Sequence, residues 1–513
     1  MGVATAASRA LGGVRVLVVA AVLGTTFLGN TFEAANTLPT VLFELLAAGA
    51  LSAVLVPSFS TRFDRGEDAS VERLAGGVLG VALVVLGAVA IAGVVGAPWL
   101  AAVLTSAAPT AAVEAGQREL ATFLLRFFMP QVAIYAVGFL AIAVLNARRV
   151  FSLPAAAPIA NTVVVVAAMV AFRQLAGPDP GLDLGLAEKV TLGLGGTLGV
   201  LAFVSVPAFA LARSGFRLRP RLPFGDPEVR SLVRLSAWAV LQHGAAAVLL
   251  GTALVLANAV AGGVIAYRVA FFVFLGTYAV LAQPIQTAVL PDLAGRVDRG
   301  EHTGYGQALR WSLDSTALVV LPASAALVSM ALPIAHVLAF GQAARPGGPE
   351  LIAAGIASLG LGVLGYGGFL LLARAWYALG DSRTPAVVSA VVAVLGVVGM
   401  VLVAPAASGA ARVYLLGLSQ SVAFTLGTVA LAVGMWRRTR SIVASRATVI
   451  AAALSTAGGL AAWLAVEAID PAGRLGSLVT VAAITVVLGG LYAATVRRWW
   501  VGAGDAEAAG DER

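Results

Sequence analysis

Six ionisable side chains stand where an apolar chain has least reason to keep them. Arg9 and Arg15 lie near the start of the first long apolar run, Glu33 and Glu44 bracket Leu38-Pro39 in the second, and Arg126 and Arg268 are the two cations that fall inside later runs. A charge at mid-membrane is expensive unless it faces water or a partner. Guanidinia in a partly dehydrated site bind phosphate-type oxyanions bidentately. Together these residues point to a polar cavity with excess positive charge, suited to an anionic substrate. Competing readings are topology signals for Arg9 and Arg15, a water boundary for Glu33, and snorkelling to the outer surface for Arg126 and Arg268. Glu44, eleven residues deeper than Glu33, is harder to dismiss.

Catalytic chemistry finds no foothold. There is no G-x-x-x-x-G-K-[ST] loop and no H-E-x-x-H pair, and His243, His302 and His336 are scattered. The absence of cysteine excludes disulfides, thiol catalysis and Cys metal sites. We therefore expect a transporter, without cofactor or metal, rather than an enzyme.

These residues must be positioned by an apolar scaffold. The chain is 513 residues long, 60% hydrophobic and only 11% charged, too little charge to cover a soluble surface. Apolar runs long enough to cross a bilayer recur from end to end, and in lipid such runs must be helices. Fourteen spans are expected, at 10–29, 33–59, 75–104, 119–145, 153–173, 189–212, 231–260, 262–293, 310–341, 350–379, 384–404, 412–435, 447–468 and 475–496. The net charge of +8 forms no basic face of the kind that binds nucleic acid; the charges sit in short loops. With the N-terminus inside, inside segments hold 25 of the 33 basic residues and outside loops hold six. Both termini are therefore expected in the cytoplasm. The first run is expected to be a retained span, with no cleaved signal peptide.

Two stretches nearly copy each other. From Pro57 to Glu67 and from Pro291 to Glu301 the chain reads P-x-[FL]-x-x-R-x-D-R-G-E, at an offset of 234. A weaker pair ends at Pro154 and Pro385, at an offset of 231. A duplication of six helices predicts two parallel lobes plus a C-terminal helix pair. The expected divisions are an N-lobe at 1–213, an Arg/Pro-rich cytoplasmic linker at 214–230, a C-lobe at 231–440, spans 13 and 14 at 441–500, and a cytoplasmic tail at 501–513.

Several segments carry a family resemblance. Ser8-Arg9-Ala10-Leu11-Gly12-Gly13-Val14-Arg15, Leu38-Pro39 with Gly49-Ala50-Leu51-Ser52-Ala53 and Val56-Pro57, Leu145-Asn146-Ala147-Arg148 with Pro154 and Pro158, Leu290-Pro291, and Ala373-Arg374-Ala375-Trp376-Tyr377-Ala378 through Asp381-Ser382-Arg383-Thr384-Pro385 appear in order along the chain. They resemble the signatures of the MurJ (MviN) family, lipid II flippases of the MOP exporter superfamily. That family also has fourteen helices, as two six-helix lobes and a final pair.

The resemblance implies a multi-pass protein of the bacterial inner membrane that carries an undecaprenyl-diphosphate-linked peptidoglycan precursor from inner to outer leaflet by alternating access. Its partners would be that anionic lipid, the surrounding membrane lipids and cell-wall synthesis proteins. The family's cavity arginines match at Arg9, Arg15 and Arg268. Some positions depart: Val16, Phe43 and Ala48 stand where the family has charged residues, and Asn30 stands at an aspartate position with Glu33 close by. The substrate-binding set is thus expected to be Arg9, Arg15, Arg268, Asn30, Glu33 and Glu44. The departures leave open a paralogue for another lipid-linked saccharide, or a non-transporting scaffold in cell-wall synthesis. An exporter of drugs or cations would prefer an acidic cavity.

Overall fold

The structure, a computed structural model, describes residues 2–43, 55–222, 237–439 and 445–510, with the backbone alone at 2–11, 237–243, 302 and 498–510. Among the described residues the chain is α-helical, with two short 3-10 turns and no strand. Among the described residues ten helices are long and apolar enough to cross a membrane, and eleven if the pair Gly348–Gly360 and Val363–Ala378, bent by 42°, counts as one span. Of the other three expected spans, the first and seventh correspond to the shorter apolar helices Gly12–Leu23 and Gly244–Ala257, and the second begins as Phe27–Phe43. Its remainder, and Glu44 with it, lies outside the described residues.

Two compact units make up the chain. Unit 1 comprises Met1–Val269, Gly341–Gly348 and Ser389–Arg412; unit 2 comprises Ala270–Phe340, Pro349–Val388 and Val413–Arg513. In unit 1 the helices are α1 (Gly2–Leu23), α2 (Phe27–Phe43), α3 (Val56–Asp64), α4 (Asp68–Val95), α5 (Ala97–Thr105), α6 (Ala111–Phe128), α7 (Gln131–Ala147), α8 (Ser152–Ala176), α9 (Leu186–Arg213) and α10 (Ala237–Ala257). They are followed by the start of α11 (Gly263–Leu281). Unit 2 holds the rest of α11, then α12 (Gln283–Asp298), α13 (His302–Ser329), α14 (Ala331–Leu338), α15 (Gly348–Gly360), α16 (Val363–Ala378) and the start of α17 (Arg383–Val403). The rest of α17 packs in unit 1, and α18 (Gly409–Thr439), α19 (Arg446–Ile469) and α20 (Gly473–Gly510) complete the chain.

The repeated sequence takes up repeated backbone. α3 ends at Asp64 and α12 at Asp298, and each end closes with the same pair of hydrogen bonds. The Gly66 N–H donates to Phe63 O at 3.0 Å and that of Glu67 to Arg62 O at 2.9 Å; Gly300 donates to Val297 O at 3.0 Å and Glu301 to Arg296 O at 2.9 Å. This Schellman closure needs a left-handed residue, and Gly66 and Gly300 both have φ of +72°. The next helices, α4 and α13, are each 28 residues long. Both break at the same point, where Gly96 donates to Ala92 O at 2.7 Å and Met330 to Ala326 O at 2.9 Å, again 234 residues apart. At the offset of 231, Arg149 with φ of +62° matches Gly380 with φ of +75°.

Unit 2 is held by buried polar ties between apolar helices. The Tyr278 hydroxyl donates to Gln286 Oε1 at 3.0 Å, and Gln286 Nε2 donates to Gly367 O at 2.8 Å. Asp314 accepts from Ser445 Oγ at 2.6 Å and Thr448 Oγ1 at 2.7 Å, fixing the start of α19 to α13. The Tyr492 hydroxyl donates to Leu318 O at 2.8 Å, fixing α20 to α13 as well. Without water to compete, each tie removes a donor and acceptor that would otherwise be stranded in apolar surroundings.

Candidate functional site

The site lies in unit 1, on the polar face of α2. Thr26 prepares it: its hydroxyl donates to Leu23 O at 2.7 Å and accepts from Gly29 N at 3.1 Å, so α1 turns at once into α2. The helix then presents Asn30, Thr31 and Glu33, all at most 3% exposed. Buried polar groups of this kind must find partners, and here they lie more than two hundred residues away for two of the three.

Asn30 clamps the turn between α10 and α11. Its Nδ2 donates to Val260 O at 2.8 Å and its Oδ1 accepts from Val264 N at 3.0 Å. Glu33, one turn on, accepts a 2.8 Å hydrogen bond from Arg268 Nε, forming an ion pair in which the Arg268 side chain is 18% and that of Glu33 4% exposed. Thr31 accepts from Gln117 Nε2 at 3.1 Å. Gln117 and Asn258 exchange amide hydrogen bonds at 2.9 and 3.0 Å. Thus α2, α6, α10 and α11 are laced together through one buried polar seam.

Arg15, on α1, donates to Asn161 Oδ1 of α8 at 3.4 Å and has no carboxylate partner among the described residues. By helical rise, Arg15 lies about 14 Å along α1 from Gly24 and Arg268 about 9 Å along α11 from Gly262. The two turns touch at Thr25 and Gly262, so both arginines lie on the same side of one shared turn, about 5 Å apart in helical rise. Further along α2, Phe43 stacks on Phe139 with ring centroids 4.6 Å apart, and Thr40 hydrogen-bonds the Tyr135 hydroxyl at 3.3 Å.

Four of the six expected site residues have described side chains. Arg268, Glu33 and Asn30 come together. Arg15 stands on the neighbouring helix. Arg9 lies on α1 with its side chain outside the description, and Glu44 lies outside it altogether. Glu33 does not mark the edge of span 2, because α2 starts at Phe27 and carries Glu33 inward as a buried group. Arg126 sits near the end of α6, which begins at Ala111, eight residues before the expected span; it is exposed and close to the break before α7. The sequence reading missed Asn161, Gln117 and Asn258. For Asn161 and Asn258 the available signal was the one that exposed Glu33, a polar group in an otherwise apolar run; Gln117, beside Arg118 and Glu119, carried no such signal.

Chemically, the seam offers guanidinium donors. No group of three or more metal-ligating side chains occurs among the described residues. Arg268 spends one of its five guanidinium donors on Glu33 and Arg15 one on Asn161, leaving the others for an oxyanion.

An all-α transporter is the class this fold defines. The structure superposes on that of the lipid II flippase MurJ in an inward closed conformation with a TM-score of 0.75, at 16% identity, covering 98% of this chain and 99% of that one. An inward-facing MATE transporter of the MOP superfamily gives a TM-score of 0.64 at 13% identity, covering 84% and 94%. The family model described as lipid II flippase MurJ matches residues 19–484. The chain belongs to the MurJ lipid II flippase family. Among its relatives are a probable lipid II flippase MurJ of Synechocystis, 27% identical over 76% of this chain and 72% of its own. The lipid II flippase MurJ of Burkholderia cenocepacia is 26% identical over 74% and 72%. A Rhizobium tropici relative is 25% identical over 90% and 86%. Membership makes this a multi-pass transporter of the bacterial inner membrane.

Proposed function

We propose that the chain moves lipid II, an undecaprenyl-diphosphate-linked peptidoglycan precursor, from the inner to the outer leaflet by alternating access. Arg15 and Arg268 are its diphosphate ligands, and Arg9 joins them from the start of α1. The observation that carries this reading is the pairing of a buried glutamate with Arg268. Such a pair is a costly arrangement for mere stability and a useful one for a switch. With Glu33 engaged, Arg268 is held neutral in sum and the α10–α11 turn is closed on α2. A diphosphate carrying about two negative charges competes for the same guanidinium, so binding and parting of the seam are coupled. Asn30 and Glu33 serve as the latch in this scheme, and Glu44 as a further polar group of the same path.

The arginine asymmetry supports a cytoplasmic location for both termini. An inside-negative potential then assists outward movement of the anionic headgroup, by about 2.3 kcal/mol per charge per 100 mV. The repeated closures at offsets 234 and 231 support a duplication with an N-lobe at 1–213, a C-lobe at 231–440 and a final helix pair. Partnership with cell-wall synthesis proteins fits the supply and use of such a precursor.

The test is complementation of a flippase-depleted bacterium, reading precursor on the outer face. Growth with precursor exposed supports transport. Growth without exposed precursor favours the scaffold, and exposure of a different lipid-linked saccharide favours the paralogue.

A further inference from the structure

Immediately after α9, residues 216–222 form an irregular strap laid along α4. Its backbone is pinned at both ends. Glu72 Oε1 accepts from Arg217 N at 2.8 Å, and Arg221 N donates to Gly76 O at 2.9 Å. Two glycines make the approach close enough: a Cβ at Gly76 would run into Arg219 O, and one at Gly80 into Arg221 O. Phe216, 3% exposed, anchors the start of the strap beneath Arg148, whose guanidinium lies 5.1 Å above the ring and 4.8 Å from that of Phe63. From this anchor Arg217, Arg219 and Arg221 alternate along the strap, all three exposed. None of the three has a carboxylate partner among the described residues. Three acids of the described residues around it are occupied otherwise: Asp68 faces Arg148 at 3.5 Å, Asp64 faces Arg149 at 3.4 Å, and Glu72 caps the strap's own backbone.

The level at which this happens is telling. Arg73 is the last charged residue on α4, and the apolar run begins at Leu74. Gly76 and Gly80 lie about 5 and 10 Å further along the helix. The strap therefore holds three guanidinia without a carboxylate partner among the described residues over the start of the apolar surface, where lipid phosphates and glycerol esters lie. An orientation signal needs only charge in a loose loop. A backbone threaded onto two glycines and held at both ends fixes where each charge sits.

We propose that the strap of Arg217, Arg219 and Arg221 on α4 is a docking surface for the phosphates of anionic phospholipids. In the orientation proposed above these belong to the inner leaflet, though lipid selectivity itself does not depend on that orientation or on the transported substrate. Each surface arginine contributes about fivefold to affinity for an anionic membrane, and the effect weakens with salt.

The experiment uses the purified full chain in detergent, titrated with phosphatidylcholine, with phosphatidylglycerol, or with inorganic pyrophosphate. Thermal stability and phospholipid retained in mass spectra are the readouts. Phosphatidylglycerol should be retained selectively and should raise the melting temperature, while phosphatidylcholine and pyrophosphate should do neither. R217Q/R219Q/R221Q should lose the selectivity by at least an order of magnitude, and the corresponding triple lysine variant should keep most of it. Gly80→Val retains every arginine yet displaces the strap, and should lose the selectivity too. Unchanged phosphatidylglycerol selectivity in the triple glutamine variant would overturn the proposal, as would pyrophosphate acting as well as the lipid. If Gly80→Val remains folded and fully selective, the geometry is irrelevant and only bulk charge counts, which also sinks it. Should Gly80→Val fail to fold, the glutamine and lysine variants still decide the matter.

Discussion

Arg268 Nε and Glu33 Oε1 stand 2.8 Å apart although 235 residues separate them in the chain. With side chains 18% and 4% exposed, neither can lose its partner cheaply, because a lone charge left in the seam keeps its desolvation penalty. Arg268→Ala alone should therefore lower stability as well as transport, by about 3–5 kcal/mol if the seam stays dry. The double variant E33Q/R268A should recover most of that stability and none of the transport. Arg268→Lys should transport partially, since an ammonium cannot bind bidentately. Thermal melts and outer-leaflet precursor at matched expression check this. Normal flipping by E33Q/R268A would remove Arg268 from the mechanism.

Asn30 offers a second handle on the same closure. Replacing it by Ala removes both hydrogen bonds to the α10–α11 turn and strands Val264 N–H, at a cost of about 1–3 kcal/mol. If the turn must part from α2 during transport, Asn30→Ala should also raise hydrogen exchange at residues 260–266 while leaving α4 protected. Equal exchange in both proteins would show that the clamp is idle.

An exposed ion pair and a neighbouring hydrogen bond join two loops of unit 1. Arg345 Nη1 hydrogen-bonds Asp179 Oδ1 at 2.6 Å, and the Gln342 side chain hydrogen-bonds Pro178 O. The hydrogen bond from Arg345 and its charge hold the Asp179 carboxyl below its usual range. A depressed carboxylate pKa stabilises above the unfolded value and loses that contribution as pH falls through the folded value. Because the pair is exposed its contribution is small, so the 341–348 segment should lose only a small part of its protection, and only in acid below the ordinary aspartate range. Asp179→Asn should abolish that acid dependence in hydrogen-exchange mass spectrometry.

Orientation can be read chemically because the chain has no cysteine. A single cysteine in the loop at 343–349 should react with an impermeant maleimide in intact cells, and one at Ala508 should not. Labelling at Ala508 would invert the orientation proposed here.

The second repeat makes a prediction about strain. Arg149 occupies a left-handed conformation where its counterpart 231 residues on is Gly380. Its exposed ion pair with Asp64 contributes little, whereas relief of the left-handed conformation is worth about 1 kcal/mol. Arg149→Gly should therefore raise stability slightly and Gly380→Ala should lower it by a similar amount, as measured by chemical denaturation in detergent.

Much of this protein is fixed by local rules. An apolar run of span length has one way to satisfy its backbone in lipid, so the helical scaffold followed from composition alone. A helix closure written as R-x-D-R-G-E repeats its backbone wherever it repeats its letters, because the bonds it uses reach no further than five residues; the matched turns at Gly66 and Gly300 follow from that. Breaks such as Gly96 and Ala282, which cut single expected spans into two helices, were not legible, since a helix end inside an apolar run leaves composition unchanged. Nor were the partners. Glu33 and Arg268 each stood out as a charge in apolar sequence, yet nothing within a helical turn of either named the other. Asn30 was noticed only as a substitution, and its grip on Val260 and Val264 depends on where α10 turns into α11. Charge and polarity are properties of a residue, while pairing is a property of packed helices, and only the tertiary structure brings residue 33 to residue 268.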